Sequence, residues 1–106
     1  KKIYILGEGH EAEKCVANIN TEKCFGQIIE INPSKHDWRE KQVYSAKAAT
    51  AKDNYIIIAN IYYDEIVKDV KKSILVNESK LIDWIKLRTN IYYYSEDIWS
   101  MFFDNF

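Results

Sequence analysis

The run Tyr55-Ile56-Ile57-Ile58-Ala59 constrains this chain more than any other feature. A strand with one wet face alternates apolar and polar residues, whereas a strand buried on both faces does not. This run therefore belongs in the middle of a sheet that is covered on both sides. Ile3-Tyr4-Ile5-Leu6, stopped by Gly7, reads the same way. Phe25-Gly26-Gln27-Ile28-Ile29-Glu30-Ile31 supplies another strand, closed by the turn formers Asn32-Pro33-Ser34.

Helical patterns separate these runs. Ala12, Cys15, Val16 and Ile19 recur at i, i+3, i+4 and i+7, with Glu13, Lys14 and Asn18 on the opposite side. From Asp64 to Lys72, acids open the segment and lysines close it, which complements the helix dipole at both ends. Between the second strand and the central run, residues Lys35 to Lys41 read as a charged surface loop in which Trp38 needs cover. Val43-Tyr44 reads as a short strand, Ser45 to Ala51 as a short Ala-rich helix and Asp53-Asn54 as a turn. Farther on, Ile74-Leu75-Val76 reads as a last short strand. Ser79 then caps a helix that buries Leu81, Ile82, Trp84 and Ile85. Alternating strands and helices with uniformly apolar strands predict an α/β fold. The expected architecture is a Rossmann-like three-layer sandwich with a mostly parallel sheet and right-handed crossovers.

Size and charge narrow the function classes. The chain has 106 residues, enough for one domain: a Rossmann-like unit over 1–90 and an aromatic C-terminal segment over 91–106. With 15 basic and 16 acidic side chains the formal net charge is −1, which argues against a broad basic face for nucleic acid or anionic lipid. No apolar run approaches the ~20 residues of a membrane-spanning helix. Cys15 and Cys24 fit neither a disulfide framework nor a zinc-ligand spacing, so a reduced, cytoplasmic setting is expected, with Cys15 a small buried apolar group. The opening Lys1-Lys2 runs straight into a strand, without an initiator Met or a signal peptide, and reads as the start of an excised domain.

In a sheet of this kind, ligands bind outside the carboxyl ends of the strands, where strand order reverses. That rule selects the loop from Gly7 to Glu11, the strand end at Glu30 and Asn32, Asn60 to Tyr63, and Asn77. Gly7-x-Gly9-x-x-Ala12 follows a strand and opens a helix, the context in which this pattern carries weight. The first glycine permits a tight turn, the second admits a phosphate to the backbone, and the small third residue allows close helix packing above free N–H donors. Glu30 ends the next strand, near the ~20-residue spacing of a carboxylate that binds ribose hydroxyls. Gly7, Glu8, Gly9, His10 and Glu11 are the phosphate-side candidates, Glu30 and Asn32 the ribose-side ones. Asn60 and Tyr62 are expected to meet a base or sugar. Glu8, Glu11 and Glu13 surround the turn with negative charge, which a protonated His10 would partly offset. His10 and His36 have no companions at metal-ligand spacing, and no nucleophile–base arrangement of known type is visible. No catalytic residue and no metal ligand are therefore assigned.

The segments Ile3-Tyr4-Ile5-Leu6-Gly7-Glu8-Gly9, Ile28-Ile29-Glu30-Ile31-Asn32-Pro33-Ser34-Lys35, and Tyr55-Ile56-Ile57-Ile58-Ala59 with Tyr62-Tyr63-Asp64-Glu65-Ile66 resemble a known family. They are similar to the small Rossmann-like nucleotide-sugar or dinucleotide-binding domains attached to polysaccharide-biosynthesis enzymes. Such domains accompany FkbM-type methyltransferases, sugar acyltransferases and C-methyltransferases. The resemblance spans roughly positions 3 to 87. In that family the second strand usually ends in an Asp-Asn pair, where this chain has Glu30 and Ile31. The resemblance implies a module that binds NAD or a nucleotide sugar beside a catalytic domain, without chemistry of its own.

The C-terminal segment suggests a competing class. Ile98, Trp99, Met101, Phe102, Phe103 and Phe106 spread over most of a helix circumference, more apolar surface than one packing face uses. Trp99, Phe102, Phe103 and Phe106 are the expected interface residues, docking on the domain's own sheet, on a second copy or on an adjoining domain. An interaction or oligomerisation domain that binds no ligand is the alternative reading. A small NAD-dependent enzyme is a third, weakened by the lack of a catalytic base or a second domain.

Overall fold

The computed structural model describes residues 3–20, 25–31, 37–38, 41–45, 54–74, 76–90, 93–94 and 103. Its elements run β1 (Ile3–Leu6), α1 (His10–Asn18), β2 (Phe25–Glu30), β3 (Asp37–Trp38), β4 (Lys41–Ser45), β5 (Tyr55–Ile58), α2 (Tyr63–Ser73), β6 (Leu81–Asp83) and α3 (Trp84–Thr89). The sheet order is β3-β4-β2-β1-β5-β6. All pairings are parallel except that of β3 with β4, which is antiparallel. Five parallel strands with helices between them make this a small α/β fold of Rossmann-like type.

The uniformly apolar strands are buried on both faces, as their composition requires. On one face Ile3, Ile5, Ile28, Val43, Ile57 and Ile82 pack with Ala12, Cys15 and Ile19 of the first helical segment and with Trp84 and Leu87 of α3. On the other, Tyr4, Leu6, Ile29, Ile56, Ile58 and Leu81 pack with Val67 and Val70 of α2. Cys15 is buried in the first of these clusters and forms no disulfide.

Several expectations change. Within the stretch read as a loop, Asp37–Trp38 form a short edge strand, paired through Asp37 with Gln42 and Trp38 with Lys41. The following strand extends to Lys41–Ser45. Residues 46–51, read as a short helix, lie outside the described residues. Ile74 caps the end of α2, its N–H donating to Val70 O, and neither Ile74 nor Val76 lies in a strand, while Leu75 lies outside the described residues. The last strand is instead Leu81–Asp83, in register with Ile56, Ile57 and Ile58. The helix expected from Ser79 starts only at Trp84, because Leu81 and Ile82 each bury into a different face of the sheet. A 3-10 turn over Glu78–Lys80 leads into that strand, with Asn77 Oδ1 accepting from Ser79 N at 3.1 Å. Asn77 thus lies before the last strand, away from the edge where ligands bind, and Asp83 holds the position assigned to it. Asp83 caps α3, its Oδ1 accepting from Ile85 N at 3.1 Å and Lys86 N at 3.4 Å.

Candidate functional site

The chain runs outward from β1 through β2 to β4, then returns to β5 on the other side of β1. Strand order therefore reverses between β1 and β5, and the crevice outside their carboxyl ends is the ligand position of such sheets. Gly7 begins it. Its φ of +146° belongs to a region that L side chains rarely adopt, and a Cβ there would lie 2.8 Å from Ala59 O. Gly7 N donates to Ile29 O at 3.3 Å and Ala59 N donates to Leu6 O at 3.0 Å, so the three strand ends are tied together under the turn.

Gly9 is the N-cap of α1 and is extended. A Cβ at Gly9 would meet nothing within 4 Å. The first helical bond is Glu13 N to Gly9 O, so the amides of His10, Glu11 and Ala12 have no intrahelical acceptor. The turn thus combines bare backbone, open space above it and a helix dipole pointing its positive end into the crevice. Ala12, fully buried, allows the helix to pack closely on the strands.

Glu30 ends β2 two residues after Ile28, on the sheet face that carries α1. Burial pushes its carboxyl up to about 7, and the negative charge of Glu8 adds to the shift. Glu8 and Gly9, after β1, and Glu30, at the end of β2, all stand at the carboxyl edge of the sheet. Glu8 Oε1 is buried and has no hydrogen-bond partner. Glu30 also borders a cleft of ≈ 390 Å³ on the α2 side, with Leu6, Ile31, Ile66 and Lys72.

Other candidates sit differently. Glu11 is turned to α3: its carboxylate accepts from Arg88 Nε at 2.8 Å, Arg88 Nη2 at 3.0 Å and Trp84 Nε1 at 3.0 Å. The Arg88 bonds hold Glu11 below the usual carboxylate range. Glu11 therefore joins two helices, a role hidden from the sequence because its partners lie on a helix whose start was misplaced. His10 is almost fully exposed, 4.0 Å from Glu13. Asn60 Oδ1 accepts from Tyr62 N at 2.8 Å, shaping the turn after β5. Tyr62 is 61% exposed and Ile61 66%, so both stand at the rim, while Tyr63, the first residue of α2, packs against the core. Asn32 lies outside the described residues.

A second cleft, of ≈ 410 Å³, opens beyond the β5 turn between Tyr62, Tyr63, Asp64, Asp83 and Lys86. Asp83 and Lys86 were missed by sequence reasoning, although an Asp just before an apolar helix start is a recognisable cap signal. Lys86 Nζ donates to Tyr93 OH at 3.1 Å and lies over the Tyr93 ring.

Of the expected interface residues, Phe103 takes the first of the alternatives, packing on the domain itself. It is 1% exposed, bridges Ile19 and stacks on Trp84 with ring centroids 5.6 Å apart. It closes the domain's own core, because Trp84 and Ile19 present an apolar surface at the end of α1 that Phe103 covers. Trp99, Phe102 and Phe106 lie outside the described residues. No family model, curated protein or solved structure matches the chain.

Proposed function

We propose that this chain is a binding domain, without catalysis of its own, for a nucleotide-containing ligand of the nucleotide-sugar or dinucleotide class, serving a catalytic partner in sugar-polymer biosynthesis. One observation carries the reading: at the reversal of strand order, β1 ends in a glycine turn with open space above Gly9, and Glu30 ends the neighbouring strand at the same carboxyl edge of the sheet. Backbone N–H groups at the start of α1 suit the anionic part of the ligand, Glu30 suits ribose hydroxyls, and Tyr62 at the rim suits a base or sugar face.

A thermal-shift screen against NAD(H), NADP(H) and UDP-, GDP- and CDP-sugars tests it, because a ligand bound only by the folded state raises the melting temperature. One class is expected to stabilise the wild type, and Gly9→Val to abolish that shift while melting as the wild type does alone. Stabilisation that survives Gly9→Val would remove the turn from the site.

The interaction reading is favoured by a different observation, the exposed pair Ile61 and Tyr62 at the sheet edge. It expects a self-associating protein that Ile61→Ser with Tyr62→Ser converts to monomer. An unchanged sedimentation profile would reject it.

A further inference from the structure

Away from the glycine turn, the cleft of ≈ 410 Å³ beyond β5 and β6 is within the size range of small-molecule sites. Tyr62, Tyr63, Asp64 and Glu65 line it from the start of α2, and Asp83 and Lys86 from the start of α3. Asp83 is 5% exposed, a degree of burial that a carboxylate rarely reaches without full pairing. Its two oxygens are used unequally. Oδ1 accepts both cap bonds, from Ile85 N and Lys86 N. Oδ2 accepts no bond among the described residues and is not sealed in the interior, so its free side meets the cleft that Asp83 lines.

A carboxylate withdrawn this far from water, with one oxygen unpaired, lacks a donor. The neighbouring groups do not supply it. Tyr94 OH is engaged by the Asp83 N–H at 2.6 Å. Lys86 Nζ donates to Tyr93 OH at 3.1 Å, lies 5.0 Å from the centroid of the Tyr93 ring, and forms no ion pair with Asp83. The sign of the missing group follows from the lining. Helix starts favour anions, but the α3 amides of Ile85 and Lys86 are spent on Asp83, and Asp64 and Glu65 occupy the first turn of α2. Three carboxylates against one ammonium leave the cleft net negative. Exposed Tyr62 adds an aromatic face at the rim, suited to an apolar stem or a cation.

We propose that this cleft binds a small organic ammonium ion, its N⁺–H donating to Asp83 Oδ2 and its apolar stem lying against Tyr62. The bond is charge-assisted and gives the buried carboxylate the donor it lacks. The site is separate from the glycine turn and takes a ligand of the opposite charge.

Amide chemical-shift titration of the whole chain with phenethylamine, the neutral phenethyl alcohol and the anionic phenylacetate tests the assignment, on wild type and on Asp83→Asn. Asn keeps the oxygen that caps α3 and removes the charge. In the wild type the amine is expected to perturb Tyr62 to Glu65 and Asp83 to Lys86 saturably, with the alcohol and the acid about tenfold or more weaker, the scale of one hydrogen bond to a charged group. In Asp83→Asn the amine should fall to the level of the alcohol while the protein melts near the wild-type temperature. Should Asp83→Asn fail to fold, Tyr62→Ala at an exposed position replaces it, and is expected to weaken the amine while keeping its preference over the alcohol. Equal binding of amine and alcohol by the wild type overturns the cation site. So does an amine affinity that the folded variant leaves unchanged, or the absence of saturable perturbation in this cleft by millimolar amine.

Discussion

Glu30 and Glu11 pull stability in opposite directions with pH. Burial and the charge of Glu8 raise the Glu30 carboxyl from 4.5 to about 7, so the folded state holds that proton more tightly than the unfolded chain. Its contribution is complete below about 4.5 and is lost as pH rises through about 7. Glu11, lowered by Arg88, contributes above the ordinary carboxylate range and is lost as the solution is acidified. Glu30→Gln is therefore expected to flatten the fall in urea-unfolding stability between pH 5 and 8, and to leave the acid limb in place. A fall in that window identical to wild type would contradict the burial of Glu30. At Gly7 the constraint is steric. Gly7→Ala must hold a Cβ at φ +146° against Ala59 O, so a loss of about 1–3 kcal/mol from the backbone alone is expected in denaturant unfolding, more with the clash. Both glycines and Glu30 were legible in the sequence, since a strand–turn–helix context and a fixed spacing reveal them. The bond of Glu11 to Arg88 was not, because no local pattern encodes a contact between residues so far apart along the chain.

Among the elements, β1, β2, β5, α1 and α2 were legible because each has a long enough period or a uniformly apolar strand. The end of the chain was not. Ile74 to Val76 and Leu81 to Asp83 are both short and apolar-rich, and only pairing with β5 selects the second as a strand. Once Leu81–Asp83 is extended, Asp83 is left as the cap and α3 starts at Trp84. α3 is short, so its stability comes from packing rather than propensity. Phe103 supplies much of that packing by covering Trp84 and bridging Ile19. Phe103→Ala is accordingly expected to cost about 3–5 kcal/mol in denaturant unfolding, the scale of a buried Phe truncation, with no change of oligomeric state. Dissociation of an oligomer without loss of monomer stability would return Phe103 to an interface.

For the whole molecule, the position of the candidate site follows from topology. Reversal of strand order between β1 and β5 opens a crevice that no single element encodes, and the glycine turn and the end of β2 at Glu30 lie at that edge because three parallel strands end there. In the proposed reading, the backbone donors of α1 take the anionic part of the ligand and Glu30 its ribose hydroxyls. The most direct measurement is an amide chemical-shift titration of the labelled domain with the ligand that the thermal screen selects. The account predicts that the largest perturbations fall on Gly7 to Ala12, Glu30 and Ala59 to Tyr62. Perturbations confined to α2, or to the Asp83–Lys86 cleft with the Gly7–Ala12 amides unmoved, would contradict it.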